Sequence, residues 1–254
     1  MTNKNVIHGY DLPNESLGRN YDLIEKYENA WRSWLGLSSF EYAIPTNGIV
    51  ESIEKICSSK DYKRFVIIEN EVKFYESILK NYNQNYIVIR PYDWAVLHED
   101  DLICLSMPFS PIASIPTWYY DLCRYIKDKS IFMFIDGAYL GTIGEKLHIP
   151  ENCKLFAVSV SKCFNASGLR SGMLFCDHVP TLFKTKVHLA NYNYYAMVKT
   201  IELLSEYDYY YMYDTFRDTQ LKICEEQGLT PADSVVLGYN KDLRVCIPKV
   251  YRKT

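Results

Sequence analysis

The chain has 254 residues, 48% of them hydrophobic and 23% charged, which is ordinary globular composition with ample length for a buried core. Its net charge of -3 leaves no basic footprint for nucleic acid, and no apolar run approaches the ~20 residues that a membrane-spanning helix needs. Eight cysteines are scattered without a Cys-x-x-Cys pair or a zinc spacing, and residues 1–20 are polar and mixed, unlike a secretory leader, so reduced thiols and a cytoplasmic location are expected.

Residues 1–20, with Gly9, Pro13 and Gly18, read as an extended arm. Residues 21–36 place Leu23, Tyr27, Ala30, Trp31, Trp34 and Leu35 at helical spacing, closed by Gly36. A short strand then runs into Thr46-Asn47-Gly48, and a helix follows with Ile49, Ile53 and Ile56 on one side. Free amides at a helix N-terminus suit a phosphate, and glycine lets the backbone approach closely, so the backbone of Gly48, Ile49 and Val50 is a candidate anion contact.

Residues 64–69 and 86–90 read as buried strands with a helix between them over 71–82. Residues 102–106 form a further apolar strand, followed by the loop Met107-Pro108-Phe109-Ser110-Pro111-Ile112-Ala113 and a helix over 116–128. Two more short apolar runs, Ile131 to Ile135 and Leu155 to Val160, complete the strands of this region. Strands alternating with helices from 40 to 176 imply an α/β fold with a mostly parallel sheet flanked by helices. Residues 189–227 look helical, with a tyrosine-rich stretch over 207–213 that suits either an interface or a buried face, and residues 241–247 read as a charged turn entering a strand.

Ligands in such sheets bind at the carboxyl ends of the strands. The 131–135 run delivers Asp136 and then Tyr139; the 155–160 run delivers Ser159, Ser161 and Lys162, and Arg170 follows in Gly168-Leu169-Arg170-Ser171-Gly172. A carboxylate, a phenol, a lysine and an arginine at neighbouring strand ends match what pyridoxal phosphate requires. The lysine amine forms a Schiff base with its aldehyde, the carboxylate keeps the ring nitrogen protonated, and hydroxyls with an arginine fork bind the phosphate. Each residue also has a plain structural alternative: Asp136 as a helix cap, Lys162 as a surface lysine, Arg170 in an ion pair, and Cys163 as a packing residue.

The run from Ser159 to Gly172 resembles the lysine signature of class I/II aminotransferases, in fold type I of the pyridoxal-phosphate enzymes; Ser171 alone departs from it, standing where a small apolar residue is usual. Asp136-Gly137-Ala138-Tyr139 is similar to the family's Asp-x-Ala-Tyr, and Thr46-Asn47-Gly48-Ile49-Val50-Glu51-Ser52-Ile53 to its Thr-x-Gly-x-x-Glu-Ala-Ile segment. The Met107–Ala113 loop resembles a degraded Asn-Pro-x-Asn-Pro-Thr-Gly, with Ser110 in place of the asparagine that donates to the ring's 3-oxygen.

The resemblance implies roles residue by residue. Lys162 carries pyridoxal 5'-phosphate, Asp136 holds the pyridine nitrogen, and Tyr139 holds the 3-oxygen. Gly48, Ile49, Val50, Ser159, Ser161 and Arg170 bind the phosphate. Phe74 stacks on the ring, with Tyr75 and Val72 as alternatives. Tyr21 reaches the phosphate site of the other subunit of a homodimer, and Arg244 binds the substrate carboxylate. The implied domains are an arm with the first helix over 1–38, a cofactor-binding large domain over 39–190, and a C-terminal domain over 191–254 that is shorter than usual, an N-terminal arm and a small C-terminal α+β part framing the sheet.

The implied activity is transfer of an amino group between an α-amino acid and a 2-oxo acid or other carbonyl acceptor. Another reaction on the same cofactor (decarboxylation, β-elimination, racemisation or cyclisation) and a non-catalytic scaffold are the alternatives. A nucleotide-binding domain is disfavoured, because Gly-x-Gly-x-x-Gly and Gly-x-x-x-x-Gly-Lys-Ser/Thr are both missing.

Overall fold

The computed structural model describes residues 20–240 and 243–247. The arm expected over 1–20 falls, apart from Asn20, outside the described residues. In chain order the elements are α1 (Tyr21–Leu35), β1 (Tyr42–Thr46), α2 (Ile49–Ser58), β2 (Arg64–Ile68), α3 (Lys73–Asn81), β3 (Tyr86–Ile89), β4 (Asp101–Ser106), α4 (Thr117–Ile126), β5 (Phe132–Asp136), β6 (Cys153–Ser159), α5 (Val160–Cys163) and β7 (Gly172–Cys176). They are followed by α6 (Lys184–Leu189), α7 (Tyr194–Glu206), α8 (Tyr211–Gln227), β8 (Thr230–Pro231), β9 (Leu237–Asn240) and β10 (Leu243–Cys246).

Seven strands form one sheet in the order β1-β7-β6-β5-β4-β2-β3. β3, β2, β4, β5 and β6 pair in parallel, whereas β7 is antiparallel to both β6 and β1. The segment between β6 and β7, which holds Lys162 and Arg170, therefore returns the chain along β6 without crossing a face of the sheet.

Both faces are covered. Side chains alternate along each strand: Leu102 and Cys104 of β4 join the cluster under α2 and α3, while Ile103 and Leu105 join the cluster under α1, α4 and α7. This two-sided burial is why these strands read as continuous apolar runs rather than alternating ones. The expected α/β architecture with a mostly parallel, helix-covered sheet is observed.

α1 begins at Asn20, whose side chain accepts from the Leu23 amide at 3.0 Å, and ends at Gly36, which takes φ +67°. Its buried face is Tyr27, Trp31 and Trp34, spaced to lie along one side. Tyr27 Oη donates to the Gly172 carbonyl at 2.9 Å and lies 2.8 Å from Ser171 Oγ, which in turn lies 2.6 Å from Thr200 Oγ1 on α7. Burial pushes the Tyr27 phenol up to about 12, so it stays a neutral donor. The departure of Ser171 from the aminotransferase pattern thus has a physical counterpart: its hydroxyl joins α1, α7 and the start of β7 in one buried network.

Residues 189–227, expected as one helical stretch, are divided. α7 starts at Asn193, whose side chain accepts from the Ala196 amide at 3.1 Å, and the chain turns at 207–210, where Asp208 Oδ1 accepts from the Tyr210 amide at 2.9 Å. Trp34 explains the turn: its Nε1 donates to the Tyr207 carbonyl at 3.0 Å, and its ring lies 4.9 Å from that of Tyr209. Within the tyrosine-rich stretch, Tyr209 is therefore a core residue. α8 and the three-stranded sheet β10-β9-β8 make the small C-terminal α+β part. Gln220 Nε2, fully buried, reaches the carbonyls of Ala232, Ser234 and Leu237 at 3.1, 2.9 and 2.6 Å and so shapes the turn between β8 and β9.

Replacing Tyr27 with Phe removes both hydrogen bonds and takes a buried donor from Ser171 Oγ and the Gly172 carbonyl. The expected loss is about 1–3 kcal/mol, read by urea unfolding; a change below a few tenths would show that the network contributes nothing.

Candidate active site

The register of the sheet sets the site. Ser106 at the end of β4 pairs with Asp136 at the end of β5, and Asp136 pairs with Ala157 of β6. Ser159 at the end of β6 pairs with Gly172, which also pairs with Thr46 at the end of β1. One edge of the sheet thus collects Ser106, Asp136, Ser159 and Thr46, with the first residue of the reversed strand among them.

Asp136 is buried, and its Oδ1 accepts from the Ala138 amide at 2.8 Å, bending the chain directly after the strand. Burial, with the Glu71 carboxylate adding to it, pushes Asp136 up to about 7; the Ala138 amide and the neighbouring Tyr75 phenol oppose the shift. No lysine or arginine among the described residues forms an ion pair with it.

The turn that follows carries Tyr139, which is 6% exposed and packs with Ala113, Val235 and Val236. The C-terminal part fixes this turn: Ser234 Oγ lies 2.7 Å from Thr142 Oγ1, and the Val235 amide donates to the Thr142 carbonyl at 2.9 Å. Lys162, exposed on the one-turn helix α5, brings its Nζ to 5.9 Å from the centre of the Tyr139 ring. Cys163 points the other way, buried with its thiol toward the Ser159 carbonyl at 3.4 Å, which is the packing role expected of it.

Gly48 precedes α2 with φ +91°, a conformation that glycine adopts readily, and no side chain caps the helix there. A methyl group at Gly48 would stand 3.9 Å from Arg170 Nη2 and 3.9 Å from the Ser159 side chain. At Gly172 a methyl would come within 2.4 Å of the Val158 carbonyl and 3.0 Å of Gly48 Cα, so the lack of a side chain at Gly172 lets β7 and the α2 turn close on each other. The α2 N-terminus, Ser159 and Arg170 therefore surround one space. Ile49 is buried and Val50 exposed on the first turn of α2, and Ser161 is half-buried on α5.

Ser110 is buried, and its amide donates to Ser106 Oγ at 2.7 Å, which ties it to the Asp136 edge. Phe74 instead packs against the cluster under α2 and α3, Tyr75 is fully buried, and Val72 is exposed just before α3. Tyr21 is 61% exposed at the start of α1. Arg244 lies on β10, opposite Tyr239 of β9, and its side chain falls outside the described ones.

Sequence reading passed over Glu71. Its carboxylate is buried and accepts from the Ser106 amide at 2.7 Å, the Ser106 hydroxyl at 2.8 Å and the Val72 amide at 2.8 Å. The signal was available: Glu69-Asn70-Glu71 follows a buried parallel strand, where chemistry-bearing residues collect, and Asn70 takes φ +69° to make the turn.

The residues present fit pyridoxal phosphate on two counts. A buried carboxylate lacking a cation is matched by a protonated ring nitrogen. A glycine turn that a side chain would fill, next to an arginine and a serine, is matched by a phosphate. Among the described residues no group of His, Cys, Asp and Glu is arranged to hold a metal, and no helix is long and apolar enough to cross a membrane.

The Asp136 shift has a sign that stability can test. Because the folded pKa lies above the unfolded value, folding favours the protonated form, and this contribution is lost as pH rises from about 4 to about 7. Compared with Asp136→Asn, the cofactor-free protein should lose stability across that window, by roughly 4 kcal/mol, and level off above it. Parallel stability curves for the two proteins would contradict the assignment.

No protein-family model matches the chain, and no curated protein matches it by sequence. Solved structures do match. An Escherichia coli protein with a methionine aminotransferase function shares 15% identity at a TM-score of 0.66, covering 85% of this chain and 66% of its own. The histidinol-phosphate aminotransferase from Clostridium acetobutylicum shares 16% identity at a TM-score of 0.67, covering 87% of this chain and 72% of its own. The L-threonine-O-3-phosphate decarboxylase from Porphyromonas gingivalis shares 13% identity at a TM-score of 0.64, covering 86% of this chain and 74% of its own. This chain spans just under two thirds of the length of the Escherichia coli protein. With its single reversed strand and its helix-covered sheet, the chain has the fold of the fold-type-I, pyridoxal-phosphate-dependent aminotransferases.

Proposed function

We infer that the chain is a pyridoxal-phosphate-dependent enzyme that moves an amino group between an α-amino acid and a 2-oxo acid or other carbonyl acceptor, with Lys162 as the attachment point. The observation that carries this reading is the meeting of Lys162 and Tyr139, the buried Asp136, and the Gly48–Ser159–Arg170 cradle on one edge of the sheet.

Bound there, pyridoxal phosphate supplies an electron sink for bonds at the carbon bearing the amino group. Lys162 Nζ would hold the cofactor, and its amine would serve as the general base that accepts and returns a proton. Asp136 presents its carboxylate to the ring nitrogen and keeps that nitrogen protonated. Tyr139, beside Lys162 Nζ, donates its phenol to the 3-oxygen. The backbone of Gly48, Ile49 and Val50, the hydroxyls of Ser159 and Ser161, and the Arg170 guanidinium bind the phosphate. Ser110, the serine in the asparagine position, is assigned to the 3-oxygen. Phe74 is assigned to the ring face, Tyr21 to the neighbouring subunit of a homodimer, and Arg244 to the substrate carboxylate. A cytoplasmic setting accords with eight free cysteines.

The likeness to a decarboxylase favours one second reading, loss of CO2 from a bound amino acid, since the shared residues hold the cofactor and do not choose which bond breaks. Incubation of the loaded protein with a panel of amino acids and 2-oxo acids distinguishes the two. Transfer of isotope-labelled nitrogen to an acceptor, absent in Lys162→Ala, is the expected result. Release of CO2 without labelled product would move the assignment to decarboxylation.

The phosphate assignment has its own test. Arg170→Ala should weaken pyridoxal phosphate binding roughly ten- to a hundredfold and leave the affinity for dephosphorylated pyridoxal unchanged. Equal loss for both ligands would place Arg170 elsewhere.

A further inference from the structure

The proposed chemistry leaves a buried carboxylate unused beside Asp136. Glu71 leaves the loop after β2 and accepts three donors: the amide and hydroxyl of Ser106 and the amide of Val72. Ser106 pairs in register with Asp136, and its Oγ accepts from the Ser110 amide at 2.7 Å. A hydrogen-bond relay thus runs from Glu71 through Ser106 to Ser110, across the ends of β2 and β4 and into the following loop. That loop has lost the asparagines that the aminotransferase pattern carries there, and the relay braces it in their absence.

We propose that Glu71 is a positioning residue of this site: it fixes the end of β4 through Ser106 and sets the charge that Asp136 presents to a cationic ring. The bracing rests on geometry alone; the ring rests on the cofactor reading given above. Two carboxylates at one edge cannot both be charged cheaply. Glu71 accepts from the Ser106 amide and hydroxyl and the Val72 amide, donors that favour its charged form, whereas burial raises Asp136, so Asp136 is the member of the pair that takes up a proton when the site holds no cation. A cationic ring nitrogen relieves both charges at once. The other groups at Asp136 are Tyr75 from α3, with Tyr139 and Lys162 on the same edge. Burial holds Tyr75 and the Cys104 thiol of β4 well above their ordinary values, so both stay neutral and add no further negative charge there.

The test needs no cofactor. Carbon-13 NMR of aspartate carboxyls in the full chain, with Asp136 assigned through Asp136→Asn, should show a midpoint near 7 in the wild type. In Glu71→Gln the midpoint should fall by roughly one unit or more, whereas Ser106→Ala, which loosens the loop and keeps the charge, should leave it in place. An unchanged midpoint in Glu71→Gln, or an equal fall in Ser106→Ala, would overturn the proposal and reduce Glu71 to a structural brace. If Glu71→Gln does not fold, Ser106→Ala decides alone: a fallen midpoint overturns the proposal and an unmoved one upholds it.

Equilibrium dialysis with pyridoxal phosphate then joins Glu71 to the ring. Affinity should drop about tenfold in Glu71→Gln at neutral pH; an unchanged affinity with a shifted midpoint would overturn that part. Failure of the wild type to bind pyridoxal phosphate would instead overturn the cofactor reading and leave the Glu71–Asp136 titration standing.

Discussion

A carboxylate buried at the end of a central parallel strand, with no ion pair to it among the described residues, is the constraint around which this edge of the molecule is arranged. Asp136 sits in β5, the middle strand of the seven, so its backbone position is fixed by pairing on both sides. Its charge is penalised by burial and by a second carboxylate. Such an arrangement comes at the expense of the protein's own stability, and a cationic ligand of the kind proposed above would resolve it. The remaining features of the edge are consistent with one such ligand: a lysine on a short helix, a phenol beside it, and an anion cradle a few residues away in space.

That edge depends on structure well behind it. The reversed strand β7 brings Arg170 and Gly172 back to the end where the parallel strands finish, and the close approach there requires that Gly172 carry no side chain. The Tyr27–Ser171–Thr200 network ties this strand to α1 and α7. The small C-terminal part, through Ser234 and Val235, holds the turn that presents Tyr139. A chain spanning about two thirds of the length of the Escherichia coli neighbour thus braces the edge that carries the candidate site.

The strands and the polar residues at their carboxyl ends were legible in the sequence because two-sided burial leaves continuous apolar runs, and each run ends in polar residues. Asp136, Lys162 and Gly48 could be read that way. The division of 189–227 could not, because tyrosines continue the helical pattern through the turn, and the partner that bends the chain, Trp34, lies far away in sequence. Ser171 was visible only as an irregularity, since its partner Thr200 is brought to it by the packing of α7 on α1. Glu71 was passed over for a different reason: its strand carries no familiar motif, and only the register of β4 against β5 shows that Ser106, and so Glu71, belongs beside Asp136. Phe74, assigned to the ring face from the resemblance, packs against the sheet cluster, and its register in α3 was ambiguous against Tyr75 and Val72 in the sequence.

The central claim is that Lys162 is the residue to which the cofactor binds covalently. Borohydride reduction of the protein mixed with stoichiometric pyridoxal phosphate, followed by peptide mass mapping, tests it most directly. The account predicts one modified peptide carrying the added mass at Lys162, with the same treatment of Asp136→Asn giving markedly less. Label spread over exposed lysines at similar levels, with Lys162 unmodified, would contradict it.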